Sequence, residues 1–574
     1  MSSAHSAPSA QEAAKLPPPL QEDDENADSE RNFQPKSLKF WVIIGAIYAA
    51  IFLVALDRMI IATAIPHITD EFHSIEDIGW YGGAYMLTCA IFNPLSGRVY
   101  QLYPTKGVFL ISIVIFEVGS TVCGAAPSSI AFIIGRAIAG MGAAGIFSGG
   151  IMIMVPMVPL RKRPVFNSFF GMAFGVSSVL GPLVGGSFAD SSKLTWRWCF
   201  YLNLPIGGFT ILAMLLFLHL ESPPREKLSI FAQLKLLDPL GLLFFVPSMV
   251  CLILACQWGG TTYPWSAPRI IVLLVIFALT FILFLAVEVF TPKTAMAPTR
   301  VVLNRSVAGS MLFMFLLSGA LMAIVYYLAI WFQAAQGHSA MEAGIRTTPL
   351  VLSLVVFGIA AALVTEKLGY YVPVMLCAPL LCAVGAGMLS TLTPRAGSAQ
   401  WIGYQVIYGM GIGCGFSIAN LGPQVALPRA DVPLGMALMF FMQQLGGAVF
   451  LAVSQNMFSH ELVKALDGIA GLDTQAIVNT GATALKNVVP PGELGTVVRA
   501  YNYALTRVFI LSAGLSASMI VGALMVEWKS VKAEKSREKK EKKEKENKEA
   551  GEGKRRASIG EEKSGGTGEK EVSQ

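Results

Sequence analysis

Apolar stretches of about twenty residues recur from Phe40 to Val526, and this recurrence constrains the chain more than any other feature. Each is long enough to cross a hydrocarbon core about 30 Å thick. Backbone groups in hydrocarbon have no water to bond, so each crossing must satisfy its own N–H and C=O groups, as a helix does. Charged residues are only 14% of the 574 and apolar residues 54%, too polar-poor a mixture for a soluble protein of this length. The chain therefore reads as an all-α polytopic membrane protein. About fourteen spans are expected, near 40–62, 80–97, 108–126, 130–156, 165–189, 201–220, 239–257, 269–290, 306–331, 348–365, 372–392, 401–425, 433–455 and 506–527.

Loop charge orients these spans. Arg98 and Lys106, then Arg161, Lys162 and Arg163, then Arg225, Lys227 and Lys235, then Lys293, Arg300 and Arg305, then Lys367, then Arg429 fall in alternate loops. The intervening loops are poorer in basic residues, so the positive-inside rule places both termini in the cytosol. The polar N-terminal region has no hydrophobic core of a signal peptide, and the first span is expected to serve as the insertion signal. Eight cysteines lie almost all within apolar runs without CxxC spacing, as buried small apolar residues do. The sequon at Asn304 falls on the cytosolic side, so no glycosylation is expected. The segment after Trp528 is rich in interleaved lysine and glutamate and reads as a solvated tail, or one lying against anionic lipid. Within it, Arg555-Arg556-Ala557-Ser558 makes Ser558 a candidate phosphosite.

Ionisable side chains inside spans are costly and point to function. Asp57 lies deep in the first span, and its carboxylate is either a proton carrier or a structural partner for another helix. Glu117 stands in the middle of LISIVIFEVGSTVCG, where desolvation penalises the charged form; it is a second candidate proton carrier or a hydrogen-bonded structural acid. Arg136 opens GRAIAGMGAAG and stays charged at any relevant pH, so it must meet an acid, water or the bundle interior. Asp57 and Glu117 are its candidate partners. Protonating the partner would break the pair, which offers a conformational switch. Glu288 lies near the cytosolic end of its span and is expected to snorkel to the interface.

The run GMAFGVSSVLGPLVGG places Gly171, Gly175, Gly181, Pro182, Gly185 and Gly186 in one span. Small residues let two helices approach closely in lipid, and the proline adds a bend. The run is a pivot or seal between helices, or a plain packing seam. In the second half Tyr327, Trp331, Gln333, Asn420 and Gln443 would suit a pocket for a bulky, largely apolar, hydrogen-bonding ligand, or else serve as interfacial aromatics and helix-bridging amides.

Several of these segments together resemble the major facilitator superfamily, and within it the fourteen-helix drug–proton antiporter family of the fungal type. GMAFGVSSVLGPLVGG is similar to the family's antiporter motif, and Arg136 with GMGAA to the fourth-helix motif associated with proton transfer. LDRMIIATAIP resembles the first-helix signature, with Arg58-Met59 standing where a small residue and threonine are common. WRWCFYLNLPIGG and YYLAIWFQAAQGHSAMEAGIRTTP also match family segments. The loop GRVYQLYPTKG keeps Gly97, Arg98, Lys106 and Gly107 but lacks the usual aspartate, so a cytosolic gate on Gly97, Arg98 and Lys106 would need acids from elsewhere. The resemblance implies two six-helix bundles, 39–220 and 305–527, the second with a long outward loop at 456–505. It also implies two inserted helices within 221–304, flanked at the chain ends by a cytosolic tail at 1–38 and a basic tail at 528–574. The bundles would rock around a central site.

The expected function is proton-coupled secondary export of small, largely apolar organic molecules such as drugs, toxins or secondary metabolites, by a monomer in the plasma membrane. A siderophore or basic amino-acid carrier at a vacuole, and a non-transporting sensor or scaffold, are the alternatives. No GxxxxGK[ST], HExxH or GxSxG sequence and no metal-ligand cluster is present, so neither an ATP-driven pump nor an enzyme is expected. No cofactor, metal or nucleic-acid partner is expected, the proton gradient being the energy source.

Overall fold

The computed structural model describes residues 33–73, 77–189, 194–218, 233, 235–260, 263–291, 294–467 and 493–530. Fourteen helices of fifteen residues or more make up almost all of it. They are α1 (Leu38–Phe72), α2 (Ile78–Leu102), α3 (Thr105–Gly124), α4 (Ser129–Met157), α5 (Arg163–Ala189), α6 (Asn203–Phe217) and α7 (Pro239–Trp258). The remainder are α8 (Pro268–Phe290), α9 (Arg305–Ala334), α10 (Thr348–Leu368), α11 (Val372–Leu389), α12 (Ser398–Ala419), α13 (Val432–Leu466) and α14 (Leu494–Met525). Among the described residues twelve spans are long and apolar enough to cross a membrane, the fourth joining the short helix Trp198–Tyr201 to α6. The other two long helices, α2 and α5, have 25 and 27 residues. At about 1.5 Å per residue both also have spanning length. Ser558, and the part of the long loop between residues 468 and 492, lie outside the described residues.

Packing sorts the helices. In the first half α3 and α2 pack on α4, α1 on α5, and α6 on α1 and α3. In the second half α9 packs on α13 and α14, α12 on α10 and α11, and α11 on α14. One apolar core draws only on residues from Val301 to Val526, and another on Phe40 to Leu218 together with Val432, Met436 and Phe440 of α13. Two helix pairs carry most of the contact between the halves, α2 with α13 and α5 with α10. A smaller cluster around Phe245, Phe284 and Phe441 fastens α7 and α8 to α2 and α13.

Burial follows from where each helix stands. The most apolar window of α8 is only 11% buried, so that helix presents its leucines and isoleucines to lipid. The corresponding share for α4 is 83%, and α4 is the helix rich in glycine and alanine. Gly140 meets the backbone of Tyr85, Gly142 that of Phe116, and Ala139 lies on Gly119. A Cβ at these glycines would drive α4 away from α2 and α3. Their absence brings backbones together where large side chains could not fit. Asn304, of the sequon, caps α9 by accepting from the amides of Ser306 and Val307.

Candidate functional site

The close approach of α4 sets Arg136 against α1. Its Nη1 lies 2.5 Å from Asp57 Oδ2, and the two side chains are 1% and 0% exposed. Arg136 Nε donates to the Tyr81 carbonyl at 2.9 Å, and its guanidinium stands 4.5 Å from the Tyr85 ring centre and 5.9 Å from that of Phe200. The other carboxylate oxygen of Asp57 accepts from Asn203 Nδ2 at 3.3 Å, and the same amide nitrogen donates to Ser120 Oγ at 3.0 Å. An arginine and an acid in hydrocarbon are tolerable because each satisfies the other and the remaining donors find acceptors. Of the two acids expected as partners of Arg136, the geometry selects Asp57.

Glu117 stands apart from that pair. It is 8% exposed, neither carboxyl oxygen has a hydrogen-bond partner, and the carboxyl rests against Gly207 of α6. Gly207 belongs to the WRWCFYLNLPIGG run, which also supplies Asn203. At the start of this run Trp196 and Arg197 form an outer clasp. Trp196 Nε1 and Arg197 Nη2 both donate to Glu71 at 2.7 Å, and Arg197 Nη1 donates to the carbonyls of Gly124 and Ala126. Partial burial opposes the charge on Glu71, but these bonds outweigh it and hold the carboxyl below its ordinary value. Glu288 accepts from the amides of Met296 and Ala297 and is buried, so it caps a turn and does not snorkel.

The glycine run of α5 lies at the seam between the halves. A Cβ on Gly175 would come within 2.9 Å of Val351 and 3.1 Å of Val355 on α10, and one on Gly171 within 3.6 Å of Leu354. Further along, Gly181 packs on Met59 of α1, where a Cβ would come within 2.7 Å of the methionine Cβ. The Gly185 carbonyl accepts from Cys199 Sγ at 3.9 Å, and Gly186 has open space around it. The Pro182 side chain lies outside the described residues. The run therefore packs α5 against α10 at one end and against α1 at the other.

The second seam holds the residues expected at a cytosolic gate. A Cβ on Gly97 would lie 2.6 Å from that of Ala437 and 2.9 Å from the Pro433 carbonyl on α13. Arg98 donates through Nε to the Leu236 carbonyl and through Nη1 to Gln101 Oε1. Gln101 Nε2 in turn donates to the Ala430 carbonyl and to Asp431 Oδ1, at 3.0 and 3.3 Å. Arg300 grips the same carboxylate with Nε and Nη2, at 3.0 and 2.9 Å. Asp431 thus meets Arg98 through Gln101, while Arg300 holds it directly. Lys106 takes no part in this contact, since its Nζ donates to the Leu215 and Leu218 carbonyls.

The expected pocket residues of the second half do not converge. Tyr327 and Trp331 are buried in the bundle core, donating to Gln455 and Asn502 respectively, both at 2.8 Å. Gln333 bonds the Ala329 carbonyl of its own helix. Asn420 is buried at the end of α12, and Gln443 is half-buried on α13. Instead, the residue beside Gln443 reaches the first half: Gln444 Oε1 accepts from Arg58 Nη1 at 3.1 Å and its Nε2 lies 3.5 Å from Cys89 Sγ. Sequence reading passed over Asn203 and Asp431; it grouped Gln444 with the amides of the second half and set Arg58 on a different face from Asp57, without bringing the two together. The signal at Arg58 was its departure from the first-helix pattern, and that at Gln444 an amide inside a span.

The family model described as Major Facilitator Superfamily matches residues 47–451. The "MFS-type efflux pump MFS1" of Trichophyton rubrum (strain ATCC MYA-4607 / CBS 118892) is 48% identical over 502 residues, spanning 87% of this chain and 93% of its own. The "Rubrofusarin-specific efflux pump aurT" of Gibberella zeae (strain ATCC MYA-4620 / CBS 123657 / FGSC 9075 / NRRL 31084 / PH-1) is 44% identical over 500 residues, with 87% and 91% covered. Among solved structures, the proton:xylose symporter XylE superimposes with a TM-score of 0.53 over 83% of this chain and 94% of its own. At 15% identity that likeness speaks for the fold alone. The chain belongs to the major facilitator superfamily and is a membrane transporter, not an enzyme.

Proposed function

We propose that the protein exports small organic metabolites or toxins across the plasma membrane, driven by protons entering the cell. The names of the fungal relatives support export, and the buried Asp57–Arg136 pair carries the coupling. An aspartate can bind and release a proton while arginine keeps its charge. Protonation at Asp57 Oδ2 removes the charge that Arg136 faces. Arg136 then retains the Tyr81 carbonyl and the Tyr85 ring, enough to keep it from being stranded but not to replace a carboxylate. The weakened tie between α1 and α4 shifts the first bundle relative to the second, with α2–α13 and α5–α10 as the sliding seams. Cargo bound between the bundles is carried from one side to the other. No cofactor takes part, and the protein works as a monomer with both termini in the cytosol.

The test uses sealed inside-out vesicles from cells expressing the full chain, incubated with a mixture of fungal metabolites and read by mass spectrometry. With an acid interior imposed and ATP absent, named masses accumulate above the level in control vesicles. A protonophore abolishes the difference. Accumulation that survives the protonophore refutes proton-driven export.

A further inference from the structure

The ion pair leaves Arg58 unused. This residue follows Asp57 in sequence but points elsewhere, because consecutive residues of a helix do not share a face. It is half-buried, and its Nη1 bond to Gln444 joins α1 to α13 across the two bundles. Its guanidinium lies 5.9 Å from the centre of the Phe174 ring on α5, and its Nε is buried without a hydrogen-bond partner. Asp57, the adjacent acid, is already held by Arg136 and Asn203. Among the described residues no carboxylate stands within ion-pair distance of Arg58.

An aromatic column continues from this point. Phe174 stacks on Phe147 with ring centres 5.6 Å apart and planes at 10°. Phe147 meets Phe440 of α13 at 5.3 Å. The rings come from α4 and α5 on one side and α13 on the other, so the column, like the Arg58–Gln444 bond, spans both bundles. Gln444 lies twelve residues beyond the start of α13 at Val432, about 18 Å along the helix and well inside the membrane.

A guanidinium at that depth without an acid is costly, and an anionic ligand removes the cost. The planar fork of arginine fits carboxylate or sulfonate oxygens two at a time, and flat rings stack favourably on phenylalanine. We infer that this junction of the two bundles selects aromatic anions, whose acidic group binds Arg58 and Gln444 while the ring system lies along Phe174, Phe147 and Phe440. The inference rests on the export reading and narrows it to one class of cargo. It disfavours basic amino acids, which would bring a second positive charge to the guanidinium.

The experiment measures equilibrium binding of three labelled probes of one shape to the purified full chain in detergent. The probes are naphthalene-1-sulfonate, neutral naphthalene-1-sulfonamide and N,N,N-trimethyl-1-naphthylammonium. The wild-type protein should bind the sulfonate at least about tenfold more tightly than the ammonium probe. Arg58→Gln should weaken sulfonate binding about tenfold to a hundredfold and sulfonamide binding less than about threefold. Arg58→Lys should keep the preference for the anion, and Gln444→Leu should weaken the sulfonate alone. A wild-type protein that does not prefer the sulfonate overturns the inference, as does an Arg58→Gln protein that loses all three probes alike. Sulfonate binding without proton-driven movement in vesicles would refute export and leave the site standing. Proton-driven movement of the sulfonamide without an anion preference would do the reverse.

Discussion

Replacing Asp57 by asparagine keeps the shape of the site and removes its negative charge. Arg136 cannot give up its own charge and would be left facing a neutral amide 2.5 Å away, with both side chains at most 1% exposed. Breaking a buried pair from one side costs about 3–5 kcal/mol. The two partners should not cost the same. Arg136→Gln leaves a carboxyl that escapes its penalty by taking up a proton, an option closed to arginine. Asp57→Asn is therefore expected to destabilise the protein more than Arg136→Gln, and the double variant less than the sum of the two. The assay is unfolding in mixed micelles by titration with SDS, followed by tryptophan fluorescence, for the wild type, both single variants and the double variant. A cost below about 1 kcal/mol for Asp57→Asn, or additive single effects, would show that the pair does not hold the bundle together.

Three further outcomes follow from the seams and the outer clasp. Gly175→Val puts a branched side chain where a Cβ alone would come within 2.9 Å of Val351, an overpacking cost of about 1–3 kcal/mol borne by this arrangement of α5 and α10. Transport should fall at least about fivefold while the purified protein stays folded, and unchanged transport would remove the seam from the cycle. Asp431→Asn loses the grip of Arg300 and the contact with Gln101. Because Arg300 is 53% exposed the loss is at most about 1 kcal/mol, so amide hydrogen exchange at residues 97–102 and 430–436 should speed up several-fold and not globally. The depressed Glu71 carboxyl contributes stability above its unfolded value, near the ordinary carboxylate range, and that contribution is lost as pH falls through the lower folded value. The melting temperature of the wild type should thus drop more between pH 7 and pH 3 than that of Glu71→Gln, and equal drops would show that the clasp carries no such linkage.

What was legible in the sequence was what hydrocarbon demands. Apolar length gave the helices, because a span must be long and must close its own hydrogen bonds. The costly charges Asp57 and Arg136 were visible as charges in oil, and the structure pairs them. The glycine run of α5 was visible as a packing face, though not which partner each glycine meets: Gly175 faces α10 and Gly181 faces α1. The amides and aromatics of the second half could not be placed, because an all-round apolar helix has no polar face to mark its orientation. Trp331 and Tyr327 therefore read as pocket residues as easily as the core residues they are. Gln443 and Gln444 are neighbours in sequence, and only the packed orientation of α13 tells which one reaches Arg58 of α1 and Cys89 of α2. Asn203 and Asp431 lie 146 and 330 residues from the side chains they meet at Asp57 and Gln101, and no local pattern connects positions that far apart.

The central claim is that a proton on Asp57 works the transporter. The direct measurement places wild type and Asp57→Asn in sealed liposomes containing a pH-sensitive dye, imposes a pH gradient, and adds naphthalene-1-sulfonate. The wild type is predicted to dissipate the gradient when the probe is added, and Asp57→Asn to leave it intact while still binding the probe. Equal dissipation by both proteins would contradict the account.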